Sequence, residues 1–217
     1  MADLFIKQAK EYQENRPSYP PELIRFIASK TPNHDLAWDV GTGNGQAAVI
    51  LAGIYKNVVG TDTSEQQLAL ASKLPNIRYQ HTRLNMSLSE LERDVVAQDT
   101  VDLVTVAQAV HWASGPYWAP ARKLVDDKYR NIDFPFEPVD GTDNTGPFEF
   151  VTEKSMDLDG YLTYIRSWSS YQTAKAKGVE LLSEEVIADF ERAWQTENGS
   201  RKVVRYPVYL RIGKVGN

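Results

Sequence analysis

An acid at position 39 is followed by glycines at 41, 43 and 45, and a second acid, Asp62, stands 21 residues after the first glycine. Glycines at alternate positions let a turn come within van der Waals distance of a ligand. An acid closing the next strand can accept from both hydroxyls of a ribose. The chemistry such a set can serve is the binding of a nucleoside cofactor. A dinucleotide site wants a third small residue three positions after the second glycine, so that a helix N-terminus approaches a pyrophosphate. Gln46 occupies that position, and no basic residue stands near enough in sequence to suggest a phosphate. A nicotinamide oxidoreductase is therefore disfavoured.

Periodicity indicates which elements hold these residues. Apolar runs near 36–40, 57–61, 77–80 and 101–107 read as strands that alternate with helical patterns, the mark of a parallel sheet covered on both faces. Helices are expected near 3–14 and 20–30, the second opened by Pro20-Pro21, and from Gln46 to about Tyr55. Thr63-Ser64-Glu65-Gln66 and Ser87-Leu88-Ser89-Glu90 both fit a capping box. In the second half, helix-like sequence at 117–130 precedes a loop from Phe134 to Pro147. FEFVTEK then alternates as a strand, helices are expected near 158–168, 170–177 and 183–195, and the chain closes on the strand KVVRYPVYLRI. Pro207 within that run belongs on an edge, at a bulge or at a strand start.

The pattern Asp39-x-Gly41-x-Gly43-x-Gly45 resembles motif I of the class I S-adenosylmethionine-dependent methyltransferases. Tyr12-x-x-x-Arg16-Pro17-x-Tyr19-Pro20, Gly60-Thr61-Asp62 and Ala107-Gln108-Ala109-Val110-His111-Trp112 are similar to the small-molecule branch called methyltransferase type 11. The tail, from Tyr117 through DDKYRNIDFPF to VYLRIGK, is similar to plant members of that branch. The resemblance implies a Rossmann-like three-layer α/β sandwich with a mostly parallel sheet, C-terminal helices and an antiparallel edge. It implies S-adenosyl-L-methionine as cofactor, S-adenosyl-L-homocysteine as product, and a small-molecule acceptor methylated on oxygen, ahead of nitrogen.

The same resemblance assigns cofactor contacts. Tyr19 belongs to an N-terminal segment that closes over the cofactor, and Gly41, Thr42, Gly43, Gly45 and Gln46 form the turn. Asp39 either orients that turn, the reading slightly preferred, or faces the amino-acid end of the cofactor. Asp62 takes the ribose or caps the following helix, with Thr63 beside it. Gln67, His81 and Thr82 lie where adenine is expected, although Gln67 reads first as solvent-facing and His81, as a lone histidine, first as a partly exposed structural residue. Ala107 and Gln108 end the fourth strand beneath the methionine end. His111 is the candidate catalytic base, since an imidazole with an ordinary pKa of about 6.5 accepts a hydroxyl proton at neutral pH. Its alternative is a satisfied loop histidine. Tyr161, Ile165 and Trp168, extended by Tyr164 and Tyr171, form a helical stripe that is core or lines an acceptor pocket, and Arg166 is a surface arginine or a partner for a substrate carboxylate.

Composition bounds the rest. The 217 residues fit one domain, divided here into N-terminal lid helices (1–33), a cofactor-binding half (34–112) and a substrate cap with C-terminal strands (113–217). A formal charge of -5 without a basic run argues against a nucleic-acid partner. The chain has no cysteine, three histidines and neither HExxH nor clustered carboxylates, which argues against a metal site. GxSxG and a P-loop lysine are also missing from the sequence, disfavouring common hydrolases and nucleotidases. No apolar run approaches the ~20 residues of a membrane span, and the first residues lack signal-peptide character, so a cytoplasmic location is expected.

One departure from the resemblance stands out. After His111-Trp112 the family continues with a helix and a Pro-Gly-Gly turn opening a fifth core strand, yet this chain has no Pro-Gly-Gly and no fit apolar run between 113 and 147. Roughly 40 to 50 residues are expected to be absent. Loss of a helix and a central strand would expose sheet edges. The hairpin of 148–156 with 202–212 could slide across to pair with the fourth strand, or a second copy could cover the edge as a homodimer. A catalytically impaired protein that acts through binding is the alternative function.

Overall fold

The computed structural model describes residues 18–108, 122–194 and 201–216. The expected helix at 3–14, with Tyr12, Arg16 and Pro17, lies outside the described residues, as do Ala109 to Trp112 and the first part of 117–130. The chain divides into two compact units. The first takes its described residues from 19–108, 137–144 and 213–216, the second from Ser18, 122–136, 145–194 and 201–212.

In the first unit, helix α1 (Pro21–Lys30) starts on a proline and buries Leu23 and Ile27, one turn apart on one face. Four parallel strands follow, β1 (Leu36–Val40), β2 (Asn57–Asp62), β3 (Ile77–His81) and β4 (Leu103–Thr105), in the order β3-β2-β1-β4. Between them run α2 (Gln46–Leu51), α3 (Glu65–Ala69) and α4 (Leu88–Asp94). The register aligns Ala37 with Val58 and Leu103, and Val58 with Ile77. This row packs with Ala48 and Leu51 of α2 and with Tyr55 into one core. Tyr55 is buried with its hydroxyl 2.7 Å from Thr31 Oγ1, and the ring of His34 stands edge-on to it at 5.1 Å. Lys30 donates to the carbonyl of Asp140, and Glu137 bridges to Lys214, so the 137–144 segment and the chain end belong to this unit.

Two expectations are corrected here. The first capping box is offset by one residue: Ser64, not Thr63, caps α3 by accepting from the Gln67 amide. The second forms as expected, with Ser87 and Glu90 satisfying each other's amides. The fourth strand spans three residues rather than 101–107. Among the described strands it pairs with β1 alone, so half of its ladder has no neighbour to extend it. Val104 and Val106 are 53% and 49% exposed, which is unusual for alternate apolar residues of a buried parallel strand.

The second unit contains α5 (Arg122–Asp126), β5 (Phe148–Met156), α6 (Leu158–Arg166), α7 (Ser169–Ala176), α8 (Glu184–Trp194) and β6 (Lys202–Leu210). β5 and β6 form a two-stranded antiparallel sheet from Phe148↔Leu210 to Met156↔Lys202, so the described hairpin does not repair the parallel sheet. Pro207 sits opposite Val151 on an edge strand, as its missing N–H requires. Asp157 caps α6 through the Gly160 amide. Leu162, Ile165, Tyr171 and Leu182 are the core, with Tyr161, Trp168 and Phe190 packed on it. Of the stripe, Ile165 and Tyr171 are thus core and Tyr161 and Trp168 border it. Tyr164 stands edge-on to Trp168 and Tyr206 at 5.5 and 5.2 Å. Tyr171 donates to Glu180, whose carboxyl is held below its ordinary range by the Leu182 amide first, then by that hydroxyl and by Arg166 nearby.

Candidate functional site

The chain lays β2 and β3 to one side of β1 and β4 to the other, so strand order reverses between β1 and β4. In open parallel sheets, ligands bind beyond the carboxyl ends of the strands at such a reversal. The turn at 41–45 leaves β1 at that point. Gly41, Gly43 and Gly45 have φ of 68°, 58° and 84°, backbone that side-chain-bearing residues rarely adopt. Thr42 donates its amide to the Thr61 carbonyl at 2.9 Å, pinning the turn to β2, and Gln46 begins α2 directly after the left-handed Gly45 cap.

Two carboxylates brace this turn. Asp39 is 1% exposed and accepts from Thr42 Oγ1 at 2.6 Å and Thr105 Oγ1 at 2.7 Å, with the Ala48 amide a nearby donor that favours the charged form. Burial pushes its pKa up, those three donors oppose the rise, and the negative charge of Asp62 adds to it. Asp39 thus joins β1, β4 and the turn. Asp62 accepts from the Gly43 amide at 2.8 Å on one oxygen and from the Ser64 amide at 2.9 Å on the other. It both clasps the turn and starts the following helix. Each of its oxygens keeps a second lone-pair position for another donor.

The remaining expected residues divide. Thr63 is exposed, and its carbonyl lies 3.2 Å from His81 Nε2, while His81 Nδ1 lies 3.5 Å from Glu65. Thr82 donates its amide to the Asp62 carbonyl. Gln67 is exposed, and its Oε1 is the nearest atom, at 3.9 Å, to where a Cβ on Gly43 would stand. Open space therefore lies over Gly43, as close approach by a ligand needs. Ala107 is half-buried beyond β4, and Gln108 has a left-handed φ of 55°, its Nε2 donating to Tyr19 Oη at 3.3 Å. Tyr19 and Gln108, 89 residues apart in sequence, are thus in contact. His111 lies outside the described residues.

Sequence reasoning missed Thr105, Thr61 and Tyr79. Thr61 accepts from the Trp38 indole at 2.9 Å, and Tyr79 lies against Gly45 and Gly60. For the two threonines the available signal was a hydroxyl at the end of a largely apolar strand, in VVGTD and in LVTVA. A groove of about 540 Å³ between Asp35, Asn57, Asn76, Arg78 and Val95 lies at the amino ends of the strands, away from every expected residue. Among the described residues no cluster of His, Asp or Glu could hold a metal ion, and no helix is long and apolar enough to cross a membrane.

Comparison with known proteins places this geometry in context. The methyltransferase-domain family of type 11 matches residues 38–126. A Dictyostelium discoideum protein named as a methyltransferase is 30% identical over 262 aligned positions, covering 98% of this chain and 95% of that protein. A Saccharomyces cerevisiae protein named as an S-adenosylmethionine-dependent methyltransferase is 29% identical over 110 positions, 49% of this chain and 38% of its own length. The solved structure of a protein from Anaeromyxobacter dehalogenans, named as a type II methyltransferase, superposes with a TM-score of 0.70 at 24% identity. It covers 92% of this chain and 97% of that one. At that identity the likeness establishes the fold.

Proposed function

The chain belongs to the class I S-adenosylmethionine-dependent methyltransferases, and from that premise we propose that it moves the methyl group to an oxygen, ahead of a nitrogen, of a small plant-type metabolite. S-adenosyl-L-methionine is the cofactor and S-adenosyl-L-homocysteine the product. The sulfonium is already an activated electrophile, so the protein's task is to align acceptor, methyl carbon and sulfur and to exclude water. Asp62 takes the ribose hydroxyls on its free lone pairs. Gly41, Thr42 and Gly43 give the nucleoside its close approach, with Gly45 and Gln46 turning the chain into α2. His81, Thr82, Thr63 and Gln67 surround adenine; Tyr19, Ala107 and Gln108 surround the methionine end. Asp39 holds the turn rather than the ligand. His111 is the general base for a hydroxyl acceptor, whereas a carboxylate acceptor needs none.

The observation that carries this reading is the convergence of the glycine turn, Asp62 and the end of β4 where strand order reverses. Its test is transfer of label from methyl-labelled S-adenosylmethionine to a panel of small carboxylic acids, phenols and amines. Label is expected on an acid or a phenol. With a phenol, His111→Ala is expected to cut turnover by about 100-fold or more while leaving cofactor affinity unchanged; turnover unchanged by that substitution contradicts the assignment of His111.

A second reading is a catalytically impaired relative acting through binding or oligomerisation. It is favoured by the exposure of Val104 and Val106 and by the alignment with the Dictyostelium protein: 98% of this chain fills all but about fifty of the 262 aligned positions. Open strand edges pair with other edges, so this reading includes a homodimer through β4. No label transfer to any acceptor, together with a dimeric mass in solution, would make it the leading one.

A further inference from the structure

Gly45 and Gly60 are 15 residues apart in sequence and share one neighbour. A Cβ on Gly45 would stand 2.1 Å from Tyr79 Oη, 2.9 Å from Cζ and 3.2 Å from Cε1. A Cβ on Gly60 would stand 2.8 Å from Tyr79 Cδ1 and 2.9 Å from Cε1. Gly60 is the direct ladder partner of Tyr79 and pairs on its other side with Asp39. The ring therefore lies across β2 at Gly60 and ends against Gly45, the cap of α2. Its inner face packs on the core of Ala37, Ala48, Leu51, Tyr55 and Val58, and its hydroxyl donates to the Ser72 carbonyl at 3.1 Å. Gly43 is different, since a Cβ there would meet nothing closer than 3.9 Å.

We propose that Tyr79 is a positioning residue for the nucleoside-binding turn, its ring being the floor that sets the height of that turn above the sheet. The three glycines then have separate causes. Gly43 leaves room for a ligand, while Gly45 and Gly60 leave room for the tyrosine. Through its ring, Tyr79 also ties β3, which ends in His81, to the turn that follows β1. Burial, and next the charge of Asp39, raise the pKa of the phenol, so it stays a neutral donor to Ser72. The proposal rests on reading the turn as the cofactor site.

A double-mutant cycle between positions 45 and 79 tests it, read by S-adenosylhomocysteine affinity and by thermal midpoint. Gly45→Ala in the wild-type background is expected to weaken binding by about 100-fold or more and to lower the midpoint, because a 2.1 Å approach forces the ring or the turn to move. In a Tyr79→Phe background the penalty shrinks, since Oη is gone and the 2.9 Å contact with Cζ remains. In a Tyr79→Leu background it falls to about tenfold or less, the residue of left-handed strain. Tyr79→Phe alone should keep affinity within about twofold, and Tyr79→Leu alone should lose about tenfold at a temperature where the protein is fully folded. Equal Gly45→Ala penalties in all three backgrounds would overturn the proposal. If Gly45→Ala folds only beside Tyr79→Leu, that rescue supports it. If Gly45→Ala folds in no background, unchanged affinity in Tyr79→Leu overturns it and a loss restored by Tyr79→Phe supports it. Absence of binding by the wild type would instead remove the cofactor reading of the turn, and the coupling in thermal midpoint would still decide whether Tyr79 sets it.

Discussion

Asp62→Ala is expected to weaken S-adenosylhomocysteine binding by roughly 5- to 150-fold, the equivalent of about 1–3 kcal/mol for charge-assisted bonds to the ribose. The upper end is favoured because the same carboxylate holds the Gly43 and Ser64 amides, so its removal loosens the turn and the start of α3 as well as deleting the ribose acceptor. Asp62→Asn retains one carbonyl oxygen and should lose less. Asn can hold only one of the Gly43 and Ser64 amides, so a ligand lacking the ribose hydroxyls should still bind Asp62→Asn more weakly than wild type, by the part of the loss that comes from clasping. Titration calorimetry measures all of these. Unchanged affinity in Asp62→Ala would remove Asp62 from the site.

Removal of Asp39 should act mainly on stability. Its carboxylate is 1% exposed and receives the hydroxyls of Thr42 and Thr105. Asp39→Ala strands two hydroxyl donors in a buried place, for an expected loss of about 2–5 kcal/mol. Asp39→Asn keeps the shape without the charge, and its comparison with wild type carries a pH signature. Burial, the largest cause, raises the folded-state pKa above the ordinary 3.8. Between those two values the native state binds more protons than the unfolded chain, so this group's contribution to stability declines as pH rises through the window. The stability of wild type relative to Asp39→Asn should therefore fall as pH rises above the ordinary 3.8 and level off once the buried carboxyl has ionised. Urea unfolding at several pH values measures the difference, and a relative stability that rises with pH would contradict the placement of Asp39.

Much of the first unit was legible because its strands are period-2 or continuous apolar runs, and β1, β2 and β3 fall within one residue of expectation. The fourth strand was over-extended because its apolar run is long, whereas a ladder is as long as its neighbours allow. The cap at Ser64 was ambiguous by one position, since Thr63 and Ser64 each have a glutamine three residues later. The choice is made by Asp62, which takes the Ser64 amide and so delays the helix. Asp39 as the brace of the turn was legible; its partner Thr105 was not, because the pairing is fixed by the β1–β4 register across 66 residues. The cause of Gly45 was hidden for the same reason, since Tyr79 meets it only after β3 has been laid beside β2. Of the aromatic stripe, Ile165 and Tyr171 are buried in the core, while Tyr161 and Trp168 are partly buried against it.

The central claim is that a nucleoside site is assembled between the turn at 41–45 and Asp62 in a sheet that ends, among the described strands, at β4. Calorimetric titration of the purified protein with S-adenosylhomocysteine, with NADH as the control and the mass in solution recorded beside it, tests that claim most directly. The account predicts one site per chain of micromolar affinity and no heat from NADH. A folded protein that binds no S-adenosylhomocysteine would contradict it.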